Sequence, residues 1–189
     1  MKKINLLAAV LMLGTTAFAQ TKWEANKAHC RVGFTVTHLS ISEVDGNFKK
    51  FDASITSSKP DFTDAVFELS ADVNSINTDN DTRDNDIKSD HFFDVAKYPA
   101  ITFKSTGISK ISDKAYKLTG NLTMHGVTKP VTLDLTLNGT GKNMRTQKPI
   151  AGFKVTGTIN RNDFGVGHMP SAVVSEEVEI RAVGEFDQI

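Results

Sequence analysis

The side chains able to do chemistry in this chain are few and scattered. The five histidines, His29, His38, His91, His125 and His168, include no pair at the i, i+3 or i+4 spacing that sets two imidazoles on one helical face. The single cysteine, Cys30, can complete neither a thiolate metal site nor an intramolecular disulfide, and reads as a small, partly buried side chain rather than a reactive thiol. No tightly held transition metal is expected. The patterns Gly-x-Ser-x-Gly and His-Glu-x-x-His are missing, and Gly165-Val166-Gly167 is too short for a phosphate loop. The carboxylates of residues 79–86 lack EF-hand spacing and read as the solvated cap of a short helix. One polar group stands out: Arg161 and Asp163 follow directly on an apolar strand, before Phe164 and Gly165. They either meet a ligand head group or satisfy backbone groups at a corner of the fold, and buried charge usually serves the second purpose. These residues point to binding rather than catalysis, with no catalytic residue to name.

What must position them is almost entirely strand. Val32, Phe34, Val36 and His38 share one face of a period-two segment, opposite Arg31, Gly33, Thr35 and Thr37. Phe67 to Val73, Ile101 and Phe103, Leu118 to Met124, Val131 to Leu137, Phe153 to Ile159 and Val178 to Ala182 alternate in the same way. Between Val44 and Ile55 the apolar phase slips between Phe48 and Phe51, which predicts a bulge. Reversals are expected at His125–Pro130 and from Asn138-Gly139-Thr140-Gly141. Residues 78–89 break the rhythm and predict one short, mostly exposed helix, held by Ile87 and Phe92-Phe93. About eight such strands suggest a closed antiparallel barrel, since closure removes unpaired edges. A barrel of that size either fills with side chains or holds one small apolar ligand, and the periodicity shows an apolar inner face without showing a cavity.

The first residues form a secretory leader: basic Lys2-Lys3, an apolar run from Ile4 to Phe18, and Ala17-Phe18-Ala19 before an expected cleavage at Gln20. The run is shorter than the roughly 20 residues of a membrane span. Export to a bacterial periplasm or the medium is expected, leaving residues 20–189 as a single domain. The 22 basic and 22 acidic side chains argue against a nucleic-acid partner, which would need a concentrated basic surface. A homodimer stays open.

The segments His29-Cys30-Arg31-Val32-Gly33-Phe34-Thr35-Val36-Thr37-His38-Leu39 and Val44-Asp45-Gly46-Asn47-Phe48 resemble the opening strands of the YceI-like family, whose members are often called polyisoprenoid-binding or lipid-binding periplasmic proteins. Phe92-Phe93-Asp94-Val95, Tyr98-Pro99-Ala100-Ile101-Thr102-Phe103, Gly120-Asn121-Leu122-Thr123-Met124-His125-Gly126-Val127-Thr128-Lys129-Pro130-Val131 and Arg161-Asn162-Asp163-Phe164-Gly165-Val166-Gly167 follow in family order. The resemblance covers essentially the whole chain after the leader. It implies an extended, lipocalin-like antiparallel β-barrel with a long apolar channel for an isoprenoid, quinone-like or fatty-acid-derived molecule. Departures stand at Cys30, where the family usually has serine, and at Asp86, Lys88 and His91, where it has histidine, arginine and aspartate.

The expected function is therefore binding and carriage of a lipid-like molecule, with no cofactor beyond that ligand. The rivals are an enzyme acting on such a lipid and an interaction protein with a filled barrel. The expected contacts are Phe34, Val36, Phe67, Leu69, Phe103, Leu122, Met124, Leu135 and Phe153 along the interior. His38 at a strand end, Arg161 and Phe164 are further candidates.

Overall fold

The computed structural model describes residues 20–189, so the leader and its cleavage point lie outside the described residues. Eight long antiparallel strands form the closed barrel, and three of them are broken in the middle. The first is β1 (Thr21–Ala25) and β2 (Arg31–His38), interrupted by a 3-10 turn at Lys27–His29. The second is β3 (Ser42–Phe48) and β4 (Phe51–Ser57), and the third β5 (Val66–Asp72) and β6 (Ile76–Asn77). The helix α1 (Asp81–Lys88) comes next, then five unbroken strands: β7 (Ala100–Lys110), β8 (Ala115–Met124), β9 (Val127–Lys142), β10 (Pro149–Asn160) and β11 (Val174–Gln188). Each long strand pairs with the next. β11 closes the ring, holding β2 through Val174–Val183 and β1 through Phe186–Gln188 on one edge, and β10 on the other.

The phase slip between Phe48 and Phe51 is a complete strand break at Lys49-Lys50, which lets both rings face inward. Two expected reversals are displaced. The β8–β9 turn is only His125-Gly126, both at positive φ (51° and 74°), the geometry of a tight two-residue hairpin. Val127–Pro130 belong to β9, with Pro130 opposite Asn121. Proline is tolerated there because β10 pairs with β9 only from Asp134 onward, leaving the upper edge of β9 without a ladder partner. Asn138–Gly141 do not turn at all. β9 runs through them to Lys142, and the glycines fall beside a bulge, where the register shifts between Gly152 and Phe153.

The end of the barrel at the start of β1 and the end of β11 is solid. Trp23, Ile55, Tyr116, Leu118, Leu135 and Ala151 are buried there, and the β4–β5 loop turns Phe62 inward as a plug. The Phe62 ring lies 5.4 Å from Trp23 and 5.0 Å, edge-on, from Phe153. Phe62 has φ +57°, a left-handed conformation costly for an aromatic residue, so other contacts must hold the loop. Tyr116 donates its hydroxyl to the Asp61 carbonyl at 2.9 Å. Asp64 gathers the loop's start, accepting from Ser57 Oγ (2.6 Å), the Ser58 amide (2.9 Å), Ser58 Oγ and the Lys59 amide (3.2 Å). Burial alone would raise the Asp64 pKa, but these hydrogen bonds outweigh it and hold the carboxyl well below the usual carboxylate range.

A carboxylate whose pKa is lowered by folding stabilises the protein above its unfolded value of about 3.9, and that contribution disappears as pH falls through the folded value. Asp64→Ala should cost about 1.5–3 kcal/mol at neutral pH, the range for hydrogen bonds to a charged group. Urea unfolding as a function of pH should show the gap between wild type and variant closing in acid. A pH-independent gap would mean that the lost packing, not the charge, matters.

Candidate functional site

Above the plug the barrel is open inside. A cavity of about 240 Å³ stands on a floor of Phe153, Phe67 and Phe186, whose rings meet edge-on at 5.3–6.0 Å. It continues between Phe34, Val36, Leu69, Val155, Val178 and Ile180, inward-facing residues that are only partly buried because no side chain meets them from across the ring. From Phe186 to Val174 the cavity follows β11 for roughly 40 Å of strand, about 30 Å along the axis at a typical tilt. The lining thus runs along the barrel axis. The alternation read from sequence is half core and half cavity wall.

Of the expected contacts, Phe34, Val36, Phe67, Leu69, Phe103, Leu122, Met124 and Phe153 line this cavity. Leu135 does not: it points inward, but at 1 % exposure it belongs to the packed end beside Tyr116. His38 is also off the cavity, since it ends β2 and its side chain is exposed at the rim. Phe164 is buried in the 3-10 turn Arg161–Phe164, outside the cavity lining. His125 donates from Nδ1 to the Phe164 carbonyl at 3.3 Å, while its ring packs on Tyr98 at 4.5 Å.

Arg161 borders the cavity but offers it no free donor. Its side chain is 3 % exposed, and all five N–H groups of the guanidinium have backbone carbonyl partners. Nε donates to Ser175 (3.0 Å), Nη1 to Val166 (3.0 Å) and Gly167 (2.9 Å), and Nη2 to Met169 (2.7 Å) and Val174 (3.1 Å). The arginine thus folds the loop 165–173 and fastens it to the start of β11. Burial pushes its pKa down, with the Glu176 charge opposing, but a guanidinium stays protonated. Arg161 and Asp163 are not partners, because Asp163 is exposed and pairs with Lys129 at 3.1 Å.

The roof over the cavity comes from α1 and the segment behind it, through Ile87, Phe92 and Phe93. Asn80 caps the helix by accepting from the Arg83 amide at 3.0 Å. The sequence reading of its acidic stretch as solvated fails at one residue. Asp84 is buried and accepts from the Thr78 amide (2.9 Å) and hydroxyl (2.6 Å), while Arg83 donates to the Thr78 hydroxyl and carbonyl, both at 2.7 Å. Two of the departures noted in the sequence meet here: His91 Nδ1 lies 3.0 Å from Asp86 Oδ1. The Asp86 hydrogen bond and charge, with Asp90 nearby, raise the His91 pKa. The pair is exposed and sits outside the cavity. Cys30 is half-buried, and its thiol donates to the Glu185 carbonyl at 3.3 Å. Burial pushes its pKa up, the opposite of an activated thiol.

Sequence reasoning omitted most of the wall. Val178, Ile180, Ala182 and Phe186 of β11, and Phe48 and Phe51 beside the strand break, carry the same alternation as the residues singled out, and that signal could have found them. Among the described residues, no three His, Cys, Asp or Glu side chains are grouped to hold a metal ion, and no helix is long and apolar enough to cross a membrane.

An up-and-down antiparallel barrel with an apolar interior is the lipocalin-like class of architecture. Within that class, the family model for the YceI-like domain matches residues 23–186, and the chain belongs to the YceI-like family. A UPF0312 protein of Pseudomonas putida is 39 % identical over 165 residues, covering 86 % of this chain and 84 % of that protein. The crystal structure of a Campylobacter jejuni YCEI protein is 30 % identical with a TM-score of 0.74, over 99 % of this chain and 98 % of that one. A polyisoprenoid binding domain from Saccharophagus degradans shares the fold at 16 % identity and a TM-score of 0.62, over 90 % and 99 % of the two chains.

Replacing Arg161 would strand five carbonyls around its buried side chain, three in the loop and two at the start of β11. Arg161→Met should cost about 3 kcal/mol or more, the scale for removing one side of a buried charged network. Arg161→Lys should recover little of it, since an ammonium has three donors and no planar fork. Urea denaturation of both variants measures this. A lysine variant as stable as wild type would show that the charge alone suffices.

Proposed function

We propose that this protein binds and carries a chain-shaped, lipid-like molecule, with an isoprenoid, quinone-like or fatty-acid-derived tail, in the upper half of its barrel. The observation that carries the reading is the long apolar cavity above a solid floor. Its shape suits a linear tail, and its lining is apolar apart from Cys30, Arg31, Ser54, Glu68 and Arg161. The Saccharophagus neighbour, described as polyisoprenoid-binding, supports the same class of ligand. Energetically, apolar contact is enough. Burying one five-carbon isoprene unit releases about 4 kcal/mol at roughly 0.8 per carbon, and micromolar binding needs about 8. Three or four units suffice after ordering costs. Carriage is favoured over turnover, because the lining is almost wholly apolar, the guanidinium of Arg161 is saturated by backbone carbonyls, and burial pushes the Cys30 thiol away from its reactive form.

Carriage between membranes or to the medium fits the leader read from the sequence. Intact mass of the exported protein should correspond to a chain beginning at Gln20. Retention of Met1–Ala19 would remove the compartment from the proposal.

Val36 projects into the open part of the cavity, away from the floor. Val36→Trp should leave the melting temperature within a few degrees, since overpacking costs its usual 1–3 kcal/mol or so only where the space is already filled. The same variant should lose the lipid that mass spectrometry of an organic extract finds in wild type. A stable variant with undiminished lipid would place the ligand elsewhere.

A further inference from the structure

The strand breaks do more than bend the barrel. The β1–β4 ladder ends at Glu24 opposite Ser54, and the β2–β3 ladder begins only at Val32 opposite Phe48. Residues 25–31 and 49–53 therefore face each other across the wall without backbone pairing. Small side chains, Ala25 and Ala53, stand on the cavity side of the gap. Outside it lies a polar groove of about 1110 Å³, and Cys30, Arg31, Phe48 and Phe51 belong to the walls of both groove and cavity. What spans the gap is the Lys27–Asp52 ion pair at 2.6 Å, with side chains 67 % and 82 % exposed, a contact of small energetic weight.

The charges of the groove are unequally engaged. Asp52 is paired with Lys27, Asp72 accepts from the Asn74 amide at 2.9 Å, and Asp79 accepts from the Asn77 side chain at 2.7 Å. Arg31, Lys49 and Lys50 line the same groove, and among the described residues none of the three has an ion-pair partner. At the roof, by contrast, the guanidinium of Arg161 is saturated by carbonyls and Ile87, Phe92 and Phe93 are apolar.

We propose that the gap is a lateral port through the barrel wall, and that the groove outside it receives the anionic head of the amphiphile whose tail lies in the cavity, with Arg31, Lys49 and Lys50 as its contacts. The port rests on the carriage reading and adds the charge class and the position of the head. A carboxylate or a phosphate would meet the same three cations, which exposed side chains can reach by rotation. The strand break then has two roles: it lets Phe48 and Phe51 both face inward, and it leaves a passage between them and Cys30-Arg31.

The test uses oleate and its neutral counterpart oleyl alcohol, titrated calorimetrically into lipid-stripped protein at neutral pH. Wild type should prefer oleate by about tenfold, the effect of one hydrogen bond to a charged group. The exposed triple variant Arg31→Gln, Lys49→Gln, Lys50→Gln should lose the preference, and the double variant Lys49→Gln, Lys50→Gln, which leaves the cavity wall untouched, should weaken it without a change in affinity for the alcohol. Lys114→Gln, Lys142→Gln, Lys148→Gln, with exposed lysines at the solid end, should retain the preference and so exclude a net-charge effect. Oleate should also slow alkylation of Cys30, which stands in the shared wall. A preference that survives in the first variant, equal binding of both probes to wild type, or an unchanged alkylation rate would overturn the port and leave carriage standing. Failure of both probes to bind would overturn carriage as well.

Discussion

The barrel depends on one strand holding two partners on a single edge. β11 pairs with β2 along its upper part and with β1 along its lower part, and without both ladders the sheet would be open. Because β1 and β2 are consecutive, the chain between them must leave the wall and return, which it does through the Lys27–His29 turn. The next two strands break close to the same level, at Lys49-Lys50 and Val73–Ser75, so the irregularity is handed from strand to strand instead of accumulating as a register error. Hydrogen bonds from the Lys49 amide to the Ser75 carbonyl and from the Asp72 amide to the Lys50 carbonyl stitch the second and third strands together across it. Between the first and second strands no such stitch exists, and the wall is thin there.

Closure also divides the labour within the barrel. The end with the Phe62 plug is packed like an ordinary core. That leaves the other end free to keep partly exposed apolar walls, a costly arrangement for a domain with no disulfide and one half-buried thiol. Arg161 is the counterpart of the plug at the open end. It does with one buried cation and five carbonyls what the plug does with aromatic contacts, fixing a loop that has no core of its own.

Much of this was legible in the chain. Alternation identified the strands, their inner faces and the barrel, and the slip between Phe48 and Phe51 marked the irregularity there, though as a bulge rather than a break. The breaks at 26–30 and 73–75 left no such trace, because short 3-10 turns there do not disturb the apolar phase in a readable way. Alternation says which way a side chain points but not what it meets. Leu135 and Val36 carry the same signal, yet one is met from across the ring by the plugged core and the other is not. The plug itself comes from a loop, outside any periodic pattern. The role of Arg161 was equally hidden, since its partners are carbonyls, which every residue has. His38 shows the limit from the other side: the pattern continued to the last residue of the strand, but the barrel did not.

Pro130 and the unpaired upper edge of β9 have a consequence for how copies of this protein meet one another. An edge with free amide and carbonyl groups invites a neighbouring chain to add a strand, the usual route to sheet-mediated aggregation. Here the exposed stretch is short, contains a residue with no N–H to donate, and is crossed by the Lys129–Asp163 ion pair. A second copy arriving at this edge finds an interrupted template and a charged strut in its way. This unpaired stretch of β9 is thus poorly suited to intermolecular sheet growth, and crowded copies can pass one another there without fusing into a continuous sheet.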